Sequence, residues 1–504
     1  MTTPEIFAKY TDPETFKKIT DYSCITQMWT DSVANYGDSV AIVDGESYTY
    51  NQLDAMVASF RGLLAEKGVK AGDIVGMYLP NCVEFVKAYL AITTMGACAV
   101  LLPPHLDNMT VFGCSMKFGM KALVYSKALE EKLDVVKMKN PALPLIEGAE
   151  TSQHTAPAIV CPGPSVCTVL FTGGTTGKSK GAKLTNQSVM EGVKNGCYGI
   201  KEIFGQRYML VLPLTHVFGL IRNLLTALRT GSSLFICRNN KDMFRDIAVF
   251  KPTIMVIVPA LAEMALNLSK QFGRNMLGAD MKTIICGAAA VAPYLVTEYD
   301  KFGITLLPGY GLTESSNLVS GNPEALRKPD SVGFIYPGID YKIVDGELWL
   351  KGTTMMAGYV GDEENEIAYS EDGYFKTGDL VRIDEEGFLY ITGRAKEIIV
   401  LSTGENVSPA ELESYFYAMD EIQDCLVYAD NSTGREVLAI EILPRAVTVK
   451  QMGIADLEAH MKEKVAQVNA KLPAFQRINK VVLRDCDFVR SPSMKIVRGQ
   501  NGQK

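Results

Sequence analysis

The sequence predicts an α/β protein: a large N-terminal domain of helix-covered β-sheets with a β-rich subdomain, followed by a small C-terminal α+β domain. Three observations predict it. Short apolar runs recur through the first 330 or so residues, among them IVGMYLP, LVYS (123–126), TVLF (168–171), MLVLP (209–213), SLFIC (233–237), TIMVIVP (253–259) and TIICG (283–287). Each ends in Pro, Gly or a polar cluster with helical spacing between, as strands covered by helices on both faces do. From about residue 331 the texture changes. KIVDGELWLKG, LVRIDEEGFLYITGR and EIIVLSTGENV join strand-like runs through D-G, E-G and T-G-E-N turns, the mark of hairpins. Finally, 504 residues exceed what one core usually serves, so two or more domains are expected.

Individual elements follow. SYTYNQLDAMVASFRGLLAEKGV reads as a strand and then a helix with Asn51 as N-cap, and CVEFVKAYLAITTMGA as a second helix. The longest apolar stretch, 88–104, is short of a bilayer span and contains Gly and a terminal Pro pair; it reads as a buried helix running into a strand. In SPAELESYFYAM, Ser408 is the N-cap, Pro409 the first helical residue and Glu411 the partner in a capping box. REVLAIEIL is then a strand, IADLEAHMKEKVAQVNAKL an amphipathic helix and KVVLRDCDF a last strand. No internal repeat or low-complexity segment is present.

Apolar residues make up 47% and charged residues 21% of the chain, as in soluble globular proteins. A net charge of −7 and a pI near 5.4 argue against broad nucleic-acid binding, which needs a large basic surface. The eleven cysteines form no C-x-x-C pair and there are only four histidines, so buried reduced thiols of a cytoplasmic protein are expected rather than a zinc site. MTTPEIFAKYTDPETFKK lacks the apolar centre of a signal peptide. These features leave open whether the protein is a monomer or a homodimer.

Residues 168–185, TVLFTGGTTGKSKGAKLT, almost form a phosphate-binding P-loop. Counting back from Gly177-Lys178-Ser179, the first glycine of G-x-x-x-x-G-K-[ST] falls at position 172, which is Thr. A P-loop helix begins at its lysine; here SKGAKLTN intervenes and the next helix can start only near Thr185-Asn186. The long loop at 172–181 offers amides, threonine hydroxyls and lysines to a polyphosphate. Its company decides the reading: YGLTES (310–315), GYFKTGDL (373–380), GRAKEIIVLSTGENVSPAELE (393–413) and RSPSMKIVR (490–498) follow in order.

Together these five segments resemble the adenylate-forming superfamily, which includes acyl-CoA synthetases, peptide-synthetase adenylation domains and beetle luciferases. The resemblance runs from about residue 40 to the end. It implies an AMP-binding domain over 1–394 and a mobile domain over 395–504, with a hinge at Lys396. It also implies a reaction that joins a carboxylate to the α-phosphate of ATP, releases pyrophosphate and passes the acyl group to a thiol such as CoA. Two anions must approach, so charge neutralisation and alignment have to supply the catalysis. Carried onto matching positions, Thr172, Thr175, Thr176 and Lys180 surround the β- and γ-phosphates, while Gly173, Gly174 and Gly177 let the backbone come close. Tyr310 stacks on adenine beside Gly311, Thr313 donates to the α-phosphate, and Glu314, with Thr172, holds Mg2+. Asp379 accepts from the ribose hydroxyls and Arg394 is a second ribose contact. Lys495 matches the catalytic lysine, although Met494 stands where the family has glycine. After adenylation Lys495 leaves the site, and the turn STGEN (402–406) enters to help form the thiol channel.

The same resemblance places His216, in LPLTHVFGL (212–220), beside the acyl pocket as an orienting or gating residue. CGAAAVAP (286–293) contributes Gly287, Ala288 and Ala289 to the adenine and acyl side. Val217-Phe218-Gly219 replace the aspartate-bearing motif of amino-acid-activating members, which disfavours a free amino acid. The small residues of CGAAAVAP, with Gly173 where many relatives have Ser, favour a fatty or other hydrophobic acid, with an aryl acid as the near alternative. A stand-alone enzyme loading a carrier protein, a luciferase-like oxygenase and a non-catalytic nucleotide-binding module are the other readings; intact Glu314 and Lys495 argue against the last.

Overall fold

The computed structural model describes residues 4–172, 180–361, 363–401, 405–417, 419–430, 437–490 and 496–501. The apolar runs form two large sheets. One has six strands in the spatial order Leu145–Glu147, Ala122–Tyr125, Ile74–Tyr78, Cys98–Leu101, Val166–Thr172 and Lys180–Thr185, all parallel except the last. The other has nine, with Thr305–Tyr310, Thr283–Cys286, Ile254–Ile257, Arg207–Leu210, Ser233–Ile236 and Val40–Asp44 parallel at its centre. Antiparallel strands close both edges of this second sheet.

One continuous apolar core joins the two sheets through the helices between them. The helix Val83–Thr94 is buried at every position but Glu84, which is why its sequence shows no polar face. Its one buried cation, Lys87, lies 4.7 Å over the ring of Phe60 and donates to the carbonyl of Glu150 at 3.2 Å, while burial lowers its pKa. The helix Tyr50–Glu66 starts two residues earlier than expected. Thr49, not Asn51, is its N-cap: the Thr49 hydroxyl accepts from Gln52 N–H at 3.2 Å and the Gln52 side chain accepts from Thr49 N–H at 2.8 Å. A reciprocal pair of this kind outcompetes a lone Asn cap.

The glycine-rich segment also differs from expectation. Lys180–Thr185 is a strand, paired antiparallel with Val166–Thr172 so that Lys180 faces Thr172. Val166–Thr172 and Lys180–Thr185 are thus antiparallel neighbours that follow one another in the chain, and Thr185 caps the helix Asn186–Asn195.

Beyond the large sheets lies an antiparallel sheet of Ile339–Val344, Glu347–Gly352, Phe375–Ile383 and Leu389–Arg394. Asp345 and Gly346 take φ of 51° and 81°, the left-handed pair that a tight hairpin turn requires. The smaller C-terminal domain pairs Ile399–Val400 with Asn406–Val407 and builds a sheet of Ile422–Asp430, Val437–Pro444 and Ile478–Leu483. The helices Pro409–Tyr417 and Leu457–Asn469 accompany that sheet, and Leu412, Phe416, Ile440, Met461 and Val465 help form a core of its own. The Ser408 hydroxyl accepts from Glu411 N–H at 3.4 Å and donates to the carbonyl of Thr392 at 2.7 Å, which ties this domain to the preceding strand. Among the described residues no helix is long and apolar enough to cross a membrane.

Candidate active site

The candidate residues come from strand ends. In the strand Thr305–Tyr310, Gly309 and Tyr310 pair antiparallel with Gly321 and Ser320, so the chain must reverse between them. A short 3-10 turn, Thr313–Ser315, makes the reversal, and the Ser315 hydroxyl accepts from Leu312 N–H at 3.1 Å. Ser316 and Asn317 then take left-handed φ of 51° and 87°. Gly311 is required here, because a Cβ would lie 1.3 Å from the carbonyl oxygen of Asn317. Thr313 and Glu314 are thus presented, half-buried, on a tightly held turn.

Glu314 has two neighbours that the sequence alone did not single out as a group. Tyr359 donates its hydroxyl to Glu314 Oε1 at 2.6 Å, and the Lys180 ammonium lies 4.9 Å over the Tyr359 ring. Residues 357–360 are zipped along the strand Lys180–Thr185: Ala357 N–H donates to Lys183, Lys183 N–H to Gly358 and Val360 N–H to Gly181. That pairing is what carries Tyr359 to Glu314. Burial pushes the Tyr359 phenol far up, reinforced by the Glu314 charge, so it stays a donor.

The second cluster is Tyr310, Asp379 and Arg394. Asp379 and Arg394 are register partners in adjacent strands, and Arg394 Nε reaches Asp379 Oδ1 at 2.8 Å. Tyr310 donates to Asp379 Oδ2 at 2.6 Å. The Asp379 side chain is 3% exposed, against 38% for Arg394, so the cluster opens through the arginine. Burial raises the Tyr310 pKa well above the usual value, and the Asp379 charge adds to it. Burial alone would lower the Arg394 pKa; the charge of Asp379, helped by Tyr310, Glu397 and Glu314, takes it upward. The two clusters therefore share one electrostatic field.

A third wall comes from the strand Thr283–Cys286. Gly287 follows it, and a Cβ there would lie 2.9 Å from the Gly309 carbonyl and 3.6 Å from the Phe218 ring. Ala288 holds φ of 66°, a strained conformation for alanine, and Ala289 is exposed. His216 stands two residues before Phe218; its Nδ1 accepts from Phe218 N–H at 3.2 Å, which orients the ring. A π-helix, Phe218–Leu225, continues from it. Thr172 is buried at the end of its strand. Lys396 is exposed in the turn Ala395–Glu397. Gly173, Gly174, Thr175, Thr176, Gly177 and Lys495 lie outside the described residues.

Two further buried arginines escaped the sequence. Arg445 of the C-terminal domain grips Glu263 through Nε at 3.0 Å and through Nη2, which also donates to the Tyr294 hydroxyl at 2.9 Å. Burial raises the Glu263 carboxyl even against the arginine's pull. Arg222, the one charge in the apolar run FGLIRNLL, is the other, and that isolated charge was its available signal. Among the described residues no three metal-ligating side chains gather.

The chain belongs to the AMP-binding enzyme family: residues 29–360 match that family, and 396–504 match the AMP-binding enzyme C-terminal domain. It is 27% identical to the peroxisomal OPC-8:0-CoA ligase 1 of Arabidopsis thaliana, covering 91% of this chain and 89% of that protein. It is also 27% identical to the medium-chain fatty-acid–CoA ligase of Escherichia coli K12, over 83% of this chain and 81% of the other. Among solved structures, the anthranilate CoA ligase AuaEII in complex with anthranoyl-AMP superposes with a TM-score of 0.83 at 19% identity, covering 95% and 96% of the two chains. The chain is an adenylate-forming ligase of the acyl-CoA synthetase type.

Proposed function

We propose that the protein activates a hydrophobic carboxylic acid with ATP to an acyl-adenylate, releases pyrophosphate and transfers the acyl group to CoA. The observation that carries this reading is the pairing of two clusters on one turn: Glu314–Tyr359–Lys180 and Tyr310–Asp379–Arg394, beside the small-residue wall Gly287–Ala289. The similarity to fatty-acid and OPC-8:0 CoA ligases supports the acyl and CoA assignments.

In this reading Asp379 and Arg394 hold the ribose, Tyr310 and Gly311 flank adenine with Gly287, Ala288 and Ala289, and Thr313 donates to the α-phosphate. The glycine- and threonine-rich connection steadies the leaving pyrophosphate, with Lys180 and Thr172 at its base. Glu314 offers one hard carboxylate, oriented by Tyr359; that fits Mg2+ bound through one carboxylate plus phosphate oxygens, and the ion would neutralise phosphate charge. Lys495 brings an ammonium between the incoming carboxylate and the α-phosphate, which lowers their repulsion and stabilises the pentavalent state. His216, fixed by the Phe218 amide, orients or gates the acyl side. The C-terminal domain, taken as 395–504, turns about Lys396 between the half-reactions. The cytoplasm is the proposed compartment, in keeping with eleven unpaired cysteines.

Two half-reactions measured on Lys495→Ala test the reading. Adenylation should fall by a factor of about a thousand, the scale of losing one charge-stabilising group. Thioester formation from supplied acyl-adenylate and CoA should stay within a factor of about three, since an interaction made only in the first transition state does not affect the second. Equal loss of both would contradict domain alternation, and acyl transfer only to a carrier protein would contradict CoA as acceptor.

A further inference from the structure

Of the buried arginines among the described residues that the clusters above leave unused, Arg61 and Arg229 donate to backbone carbonyls and Arg222 does not. Arg222 is 3% exposed in the π-helix Phe218–Leu225, one turn beyond Phe218. Its Nη1 is buried without a hydrogen-bond partner, and among the described residues no carboxylate pairs with it. A guanidinium does not shed its proton, so an unpaired one in the interior is costly unless something anionic or strongly polar meets it. The buried Tyr208 hydroxyl stands beside Arg222 and makes no well-formed hydrogen bond of its own. Burial takes both the Tyr208 and the Tyr336 phenols up to about 12, against a downward pull from Arg222.

Arg222 lines a cavity of about 30 Å³ with Ile285, Gly309, Leu318 and Tyr336. That is room for a small polar group and too little for an alkyl chain. The cavity shares a wall with the candidate active site. Gly309 directly precedes Tyr310, and both the Gly309 carbonyl and the Phe218 ring border the point where a Cβ on Gly287 would stand.

Resting on the ligase reading above, we infer that Arg222 closes the far end of the acyl pocket as the receptor for a second anionic group, so that the preferred acid is a dicarboxylate with an apolar body between its two ends. The guanidinium supplies paired N–H donors, and Tyr336, which lines the same cavity, adds a hydroxyl. Arg222 is then a specificity-determining residue that takes no part in bond making.

Acid-dependent ATP–pyrophosphate exchange on the full-length protein tests this, using matched pairs of straight-chain monocarboxylic acids and α,ω-dicarboxylic acids of equal length. The expected result is a diacid kcat/KM higher by a factor of about ten or more at the preferred length, the scale of one charge-assisted contact. In Arg222→Gln the diacid-to-monoacid ratio should fall by a similar factor, and Arg222→Lys should restore part of it; ATP-induced thermal shift verifies that each variant is folded. A wild type that uses monoacids as well as or better than diacids overturns the inference while leaving the ligase reading intact. Exchange with no acid at all overturns the ligase reading itself.

Discussion

Tyr310 and Asp379, 69 residues apart in sequence, meet in a 2.6 Å hydrogen bond that fixes one oxygen of a buried carboxylate, while Arg394 holds the other at 2.8 Å. The carboxylate is thereby oriented before any ligand arrives. Asp379→Asn keeps the shape but removes the charge that Arg394 faces. Its expected cost is about 1–3 kcal/mol of stability, discounted for the partly exposed arginine, and a rise of about tenfold or more in the KM for ATP. Tyr310→Phe should cost less, about 1 kcal/mol. Urea unfolding and pyrophosphate exchange measure the two effects separately.

Tyr359 supports Glu314 without being a proposed ligand of anything. Tyr359→Phe retains the ring over which Lys180 sits and deletes only the donor. The expected outcome is an unchanged fold, with a melting temperature within about 2 °C of wild type for this chain length. The Mg2+ concentration needed for half-maximal exchange should rise several-fold. A magnesium titration of the two proteins side by side decides it.

How much of this was legible in the sequence follows from what each contact depends on. Strand ends, the Asp345-Gly346 hairpin and the separate C-terminal core rest on local patterns, and the five motif segments were readable because each is contiguous. The Lys180–Thr185 strand was less readable: its residues are polar on one side, and its partner strand reaches it across a connection rich in glycine. Tyr359 and Arg445 were not legible, because their partners Glu314 and Glu263 lie 45 and 182 residues away and no spacing rule links them. Arg222 was visible as a charge in an apolar run, but its lack of a partner is a property of packing alone.

Arg445 and Glu263 form a buried clamp between the two domains. Under the alternation proposed above, this pair must part when the small domain turns. Arg445→Ala leaves the Glu263 carboxylate without its cation at the interface, a loss of about 3–5 kcal/mol in one arrangement of the domains. The two half-reactions should therefore change unequally, with the less affected one identifying the arrangement that does not use the clamp. Parallel assays of adenylation and of thioester formation from acyl-adenylate give the ratio; equal effects would make the clamp a static support.

The thiols and phenols of the interior set an alkaline limit. Burial pushes Cys82 and Cys167 up to about 12 and Cys237 to about 11, and Tyr208 and Tyr336 to about 12. For each, the folded-state value lies above the unfolded one, so its contribution is complete below the unfolded pKa of about 9 for thiols and 10 for phenols. It is lost as pH rises through 11 to 12. Melting temperature should stay level from neutral pH to about 9 and then fall. At pH 8 a thiol reagent should modify the exposed Cys486 quickly and the buried cysteines only on unfolding.

The central claim, that these residues form an acid-activating site, is tested most directly by acid-dependent exchange of pyrophosphate into ATP across a panel of hydrophobic mono- and dicarboxylic acids, followed by addition of CoA. The account predicts exchange with at least one such acid, a CoA thioester when CoA is added, and a collapse of both products in Asp379→Ala. Exchange confined to an amino acid or to acetate, or full exchange in Asp379→Ala, would contradict it.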